Sequence, residues 1–147
     1  MARLVPAGSS VADIGAGDGK LSAWLAAAGH RVIATENKPG PRAEVLRLLE
    51  PLGIECRLGD GLEPIRPGEV EVAVIAGMGG RSIGRIIAAS PAVVASLEAL
   101  ILQPVQHREE MLDGLLAGGY RVAARAQVEQ RSRSYSAFLM LPPYSAR

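Results

Sequence analysis

The sequence predicts an α/β fold: a mostly parallel, seven-stranded sheet with helices on both faces and an antiparallel hairpin at its C-terminal end. Three observations carry that expectation. Short continuous apolar runs alternate with helical stripes through most of the chain, as they do where strands are buried on both faces. The last segment alternates apolar and polar residues one by one, the pattern of a half-solvated strand. Glycines and acids gather just after the apolar runs, where open parallel sheets bind their ligands.

The first strand is expected at Val11–Ile14. In the helix that follows, Leu21, Trp24, Leu25 and Ala28 fall at i, i+3, i+4 and i+7, which assigns Trp24 to the helix core. Arg31–Thr35 is the second strand, and Val45, Leu48, Leu49 and Leu52 repeat the stripe on a helix with Pro41 near its start. The third and fourth strands are Ile54–Leu58 and Val72–Ala76. Ile83, Ile86 and Ile87 mark a helix after Gly79-Gly80. The fifth strand, Ala99–Gln103, leads to a helix carrying Leu112, Leu115 and Leu116, stopped by Gly118-Gly119. Val122, Ala124, Ala126 and Val128 then alternate with Ala123, Arg125, Gln127 and Glu129. A polar turn at Arg131–Ser134 and a strand at Tyr135–Leu141 complete the hairpin. The plan is five βα units closed by a hairpin, in one domain over residues 1–147.

The totals exclude several classes. Nearly half the 147 residues are hydrophobic, yet no apolar run reaches the roughly 18 residues of a membrane span. MARLVPAGSS lacks the apolar core of a signal peptide, which points to the cytoplasm. The lone Cys56, in an apolar run, reads as a small buried hydrophobe, and two histidines with one cysteine make no structural metal site. His30 is expected at the surface and His107 in a solvated or capping role. A net charge of +1 is low for a dedicated nucleic-acid module, so any RNA contact must come from local patches.

The informative residues follow the strands. Asp13-Ile14-Gly15-Ala16-Gly17-Asp18-Gly19 ends the first, with glycines that permit a tight turn and close backbone approach. The next helix offers free N–H groups to an anionic group such as a carboxylate. A dinucleotide site would show G-x-G-x-x-G, but Lys20 stands where its third glycine belongs. Asp13 suits instead a ligand carrying an amino group and a sulfonium charge. Glu36, with Asn37 beside it, ends the second strand and can accept hydrogen bonds from two ribose hydroxyls. After the third strand, Asp60 can reach an adenine amino group, with Gly59 and Gly61 leaving room for the ring. Ala76 and Gly77 close the fourth strand and continue into Met78-Gly79-Gly80, a loop whose glycines expose backbone to a substrate.

The pattern D-x-G-x-G-x-G over Asp13–Gly19 resembles motif I of class I methyltransferases, which have a Rossmann-like fold and bind S-adenosylmethionine. Val74–Gly80 (VIAGMGG), Leu100–Pro104 (LILQP) and Arg57–Leu62 (RLGDGL) together resemble the TrmK family. Glu36 followed by Gly40-Pro41, and Val128-Glu129 with Tyr135, are similar to its second strand and closing hairpin. The resemblance covers roughly Val11 to Leu141. It implies methyl transfer to N1 of an adenine in the D-loop region of bacterial tRNA. In two places the chain departs from the family. Ala16–Lys20 replaces the family's Ser-Asp-His-Ala-Tyr, and the chain stops at Arg147 without the family's C-terminal helical domain, so a divergent member is expected.

Adenine N1 is an unprotonated lone pair at neutral pH, so placing it in line with the methyl donor can supply most of the acceleration. Asp18 is a candidate to meet the adenine amino group or the cationic product, and Gln103 to meet the base edge, beside Gly77 and Met78. Arg81, Arg85 and Arg108 follow strand-end loops and are candidates for RNA phosphates; Arg131 and Arg133 sit at the hairpin tip. Three alternatives stay open: an acceptor that is a small molecule, an acceptor that is another RNA, and a cofactor-binding module without catalysis.

Overall fold

The computed structural model describes residues 1–143; the end of the expected domain, 144–147, lies outside them. In chain order the elements are β1 (Val11–Ile14), α1 (Lys20–Ala27), β2 (Val32–Glu36), α2 (Pro39–Leu49), β3 (Glu55–Leu58), β4 (Val72–Met78), α3 (Gly80–Ala89), α4 (Pro91–Ser96), β5 (Ala99–Pro104), α5 (Arg108–Ala117), β6 (Arg121–Gln130) and β7 (Arg133–Leu141). The strands form one sheet in the order β3-β2-β1-β4-β5-β7-β6. β1 to β5 pair in parallel, and β7 pairs antiparallel with both β5 and β6. The chain therefore works outward from β1 to β3, then crosses to β4 on the other side of β1. That reversal puts a crevice beyond the carboxyl ends of β1 and β4.

Strand residues alternate between two apolar cores, because successive side chains point to opposite faces. Ala12, Ile14, Ala73, Ile75, Leu100, Leu102, Phe138 and Met140 pack beneath α3, α4 and α5. Val11, Ala34, Cys56, Val72, Val74 and Ile101 pack on the other face, with Leu25 of α1 and Val45 and Leu49 of α2. Cys56 is buried, as expected, and burial pushes its thiol above its ordinary pKa.

Some expectations need correction. Trp24 is 54% exposed: α1 turns only Ser22 and Leu25 fully inward, so the indole lies outside the core. Leu48, Leu52 and Leu116 are likewise exposed; α2 buries Val45 and Leu49, and α5 buries Met111, Leu112 and Leu115. No helix joins β3 to β4, so five complete βα units do not form. Ionic and backbone contacts pin that connection instead. Arg57 donates to Glu69 at 2.8 and 2.5 Å and to the Pro64 carbonyl at 2.7 Å, and the guanidinium holds the Glu69 carboxyl down at about 2. The short α4 is additional, and β4 runs two residues further than expected. The hairpin turns tightly through Arg131 (φ 50°) and Ser132 (φ 65°), a two-residue left-handed turn that suits the twist of its strands.

Candidate active site at the carboxyl edge

At the end of β1, Asp13 is 3% exposed and accepts the Ser22 hydroxyl at 2.6 Å. Burial pushes its carboxyl up to about 6; the Ser22 bond only partly offsets this. The following loop turns through left-handed glycines to Lys20, where α1 begins. Asp18 accepts the Lys20 backbone N–H at 3.0 Å and lies 3.7 Å from its ammonium, so it holds the loop from an exposed position. Gly19 packs toward Leu48 and Leu49 of α2 and faces neither of the cavities described below.

At the end of β2, Glu36 is 8% exposed and accepts the Asn37 N–H at 3.1 Å. Thr35 before it accepts the Gly15 N–H at 3.4 Å and donates to the Gly61 carbonyl at 3.4 Å, tying the first and third strand-end loops together. The sequence reading missed Thr35 and Ser22. The available signal was a hydroxyl in the buried apolar run of β2 and one on the inward face of α1.

Beyond β3, Asp60 is half exposed and sits 3.5 Å from Arg85. The flanking glycines line the first of the cavities described below and also let their loop pack closely. A Cβ on Gly59 would fall 2.3 Å from Pro64, and one on Gly61 would fall 2.9 Å from Ile86, so both serve close packing of the loop. Gly80 similarly lets α3 start against the His107 carbonyl and Met111. Gly77 and Gly79, by contrast, face open space.

β4 carries an irregularity that shapes the site. Ala76 pairs with Gln103 and Met78 with Pro104, leaving Gly77 as an extra residue at φ +78°. Its N–H leaves the strand ladder and donates to Gln103 Oε1 at 3.1 Å. Gln103 is 3% exposed, and its side-chain Nε2 has no partner. The Met78 carbonyl accepts the Val105 N–H, and the Gly80 N–H donates to the Gln106 carbonyl at 2.7 Å, which couples this loop to the end of β5.

Two cavities flank this loop. The first, about 410 Å3, is lined by Glu36, Asn37, Gly59, Asp60, Gly61, Met78 and Arg85. The second, about 520 Å3, is lined by Asp13, Gly17, Asp18, Ala76, Gly77, Gln103, Val128 and Glu129. Both reach Gly15. The structure thus divides the expected cofactor residues into two groups that meet at one glycine. A wider groove of about 570 Å3 runs between α3 and α5 and includes Arg81. Arg108 lines a second groove beside His107 and Tyr135.

The candidate phosphate-binding arginines are not gathered into a free cationic rim. Arg81 contacts Glu110 at 2.7 Å, Arg85 contacts Asp60, and Arg108 contacts Glu109 at 2.8 Å. His107 stands at the N-cap position of α5 at φ 53° without a side-chain capping bond, and half-buried His30 bonds the Ser9 carbonyl through Nδ1 at 2.8 Å. Among the described residues, no three His, Cys, Asp or Glu side chains are grouped to hold a metal ion, and no helix is long and apolar enough to cross a membrane.

A parallel sheet with a reversed strand order, acids after three successive strands and paired cavities at the switch point is the arrangement of a Rossmann-like methyltransferase. A protein-family model described as a methyltransferase domain matches residues 1–138, and the chain belongs to that family. It is 34% identical over 142 residues to the tRNA (adenine(22)-N(1))-methyltransferase of Bacillus subtilis (strain 168), covering 92% of this chain and 59% of that protein. The chain thus spans about three-fifths of that curated relative's length. The crystal structure of the B. subtilis M1A22 tRNA methyltransferase TrmK superposes with a TM-score of 0.87 at 32% identity, over 96% of this chain and 63% of that one. Streptococcus pneumoniae Sp1610, solved in complex with S-adenosyl-L-methionine, gives 0.90 at 30% identity, over 96% and 69%. The magnesium protoporphyrin IX methyltransferase of Synechocystis, at 20% identity and 0.72 over 92% and 70%, shares the fold.

Proposed function

We propose that this chain is an S-adenosylmethionine-dependent methyltransferase that methylates N1 of an adenine in tRNA, working in the cytoplasm as one domain over residues 1–147. The observation that carries the reading is the pair of cavities meeting at Gly15. The first presents Glu36 and Asp60 for a ribose and an adenine amino group, and the second presents the buried Asp13 carboxylate for an ammonium group. That set of acceptors fits an adenosine joined to a cationic amino acid, with Gly15 and Gly17 lining the crossing and its far side. The likeness to relatives named for tRNA adenine N1 methylation supports the choice of acceptor.

When bound, the cofactor supplies an electrophilic methyl on a sulfonium. The chain's residues have the remaining tasks. Glu36 and Asp60 fix the adenosine end, while Asp13 fixes the amino-acid end. Gly77 and Met78 wall the space where the acceptor base enters. Placement is the main contribution, because adenine N1 needs no prior deprotonation. The positive charge that develops on the methylated base meets a second cavity holding Asp13, Asp18 and Glu129.

The test is methyl transfer from labelled cofactor to bulk bacterial tRNA, followed by nucleoside analysis. Label in 1-methyladenosine is the expected result. A chain that binds cofactor but leaves tRNA unlabelled overturns the acceptor. The carboxylate beside each of Arg81, Arg85 and Arg108 favours, as a second reading, a small-molecule acceptor over a polyanion.

A further inference from the structure

Gln103 holds the one buried side-chain nitrogen or oxygen without a hydrogen-bond partner among the described residues. Folded chains keep few such groups, and each calls for an explanation. The orientation of the amide is fixed by its other end. Oε1 accepts the Gly77 N–H at 3.1 Å; turned over, the amide would set its NH2 against that same N–H, donor against donor. Gln103 lines the second cavity beside Ala76 and Gly77, and the donor it leaves unanswered is the buried Nε2. The nearby carboxylate of Asp13 already takes the Ser22 hydroxyl. Leucine would fill a similar volume at a strand end with no polar atom left over, so packing alone does not account for glutamine here.

We propose, resting on the adenine reading above, that Gln103 recognises the acceptor base by its N6/N7 edge. Nε2 donates to N7, and the second lone pair of Oε1 accepts from the 6-amino group. A carbonyl oxygen has two lone pairs, so the Gly77 N–H does not exclude this second bond. A glutamine amide matches N6 and N7 of adenine in both polarity and spacing. This contact leaves N1, on the far side of the amino group, free to face the methyl donor. Guanine carries an oxygen in place of the amino group and would oppose Oε1 with a second acceptor. Pyrimidines lack N7 altogether. The bulge at Gly77 is what makes the arrangement: it takes one backbone N–H out of the ladder and uses it to orient the reading side chain.

The experiment compares tRNA transcripts made with adenosine, 7-deazaadenosine or 3-deazaadenosine, with wild type, Gln103→Glu and Gln103→Leu as enzymes. Gln103→Glu keeps an acceptor for the Gly77 N–H and loses the donor. Wild type should lose about tenfold in kcat/KM on the 7-deaza transcript, the loss of one hydrogen bond, and change little on the 3-deaza one. Both variants should be about tenfold slower on normal tRNA and indifferent to 7-deaza replacement. Cofactor affinity by calorimetry should stay within about twofold, since the contact is assigned to the base. The proposal is overturned by a wild type indifferent to N7, by a penalty at N3 instead, by a Gln103→Glu enzyme that still discriminates, or by cofactor affinity that falls with the rate. If wild type methylates none of the transcripts while binding cofactor, the adenine reading itself fails, and the edge assignment with it.

Discussion

The two cavities that meet at Gly15 hold their polar groups in opposite ways. In the first, Asp60 is half exposed beside Arg85, and Glu36 accepts a neighbouring backbone N–H, so its polar groups have partners before any ligand arrives. In the second, Asp13 is buried enough for its carboxyl to sit at about 6, and Gln103 Nε2 has no partner. The lesson is that polar groups of a site need not cost the fold equally. The first cavity contributes affinity at little expense to stability, whereas the second holds groups that destabilise the empty chain until a ligand answers them.

Substitutions can break this contrast or sharpen it. The largest effect is expected at Glu36: Glu36→Ala should weaken cofactor binding by about 2–4 kcal/mol, the loss of two charge-assisted bonds, with little change in Tm. Calorimetry showing affinity within twofold of wild type would sink the ribose assignment. Asp13→Asn should act the other way on the fold. The folded pKa of Asp13, about 6, lies above its ordinary 3.8, so burial of the charged form destabilises the chain fully above pH 6, and this cost fades as pH falls toward 3.8. The amide should thus raise stability near pH 7.5 by up to about 3 kcal/mol while weakening cofactor binding. The gain should vanish near pH 4, and denaturant melts across that range measure it; a variant less stable than wild type at pH 7.5 refutes the contrast.

Asp60→Ala should weaken cofactor binding by only about 1 kcal/mol, since its carboxylate is half exposed and shared with Arg85. Unchanged discrimination against inosine-type cofactor analogues would remove its adenine role. Replacing Arg81, Arg85 and Arg108 together should have the smallest effect on the cofactor. A phosphate contact contributes about 0.7–0.9 to the slope of log affinity against log salt, so tRNA binding should lose roughly two from that slope if all three engage RNA. An unaltered slope would show that their carboxylate partners already satisfy them.

Much of this was legible in the sequence, and what was missed has a common cause. Val72–Ala76 reads as a buried strand because a run without polar interruption has no other comfortable place in a short domain, and Val11–Ile14 reads so with the one acid Asp13 near its carboxyl end. Asp13, Glu36 and Asp60 read as a site because acids after successive parallel strands converge at one edge. Trp24 was misplaced because periodicity gives the stripe but not its width, and a helix as short as α1 needs to turn only Leu25 and Ser22 fully inward. The close packing of Gly59 against Pro64 and of Gly61 against Ile86 was not legible, because no local pattern carries the positions of those neighbours. The bulge at Gly77 was equally hidden. It depends on the register between β4 and β5, a property of two strands together.

Gly15 and Met78 illustrate the same dependence in another form. A Cβ on Gly15, where φ is +68°, would fall 2.6 Å from the Met78 terminal methyl, so the thioether occupies the space that any other residue at position 15 would need. The two sides of that contact are not equally bound. The Met78 methyl is the far end of a flexible side chain and can swing aside, whereas the left-handed backbone at 15 strains any residue but glycine whatever stands opposite. Among descendants of this sequence, position 15 should therefore stay glycine while position 78 drifts in length.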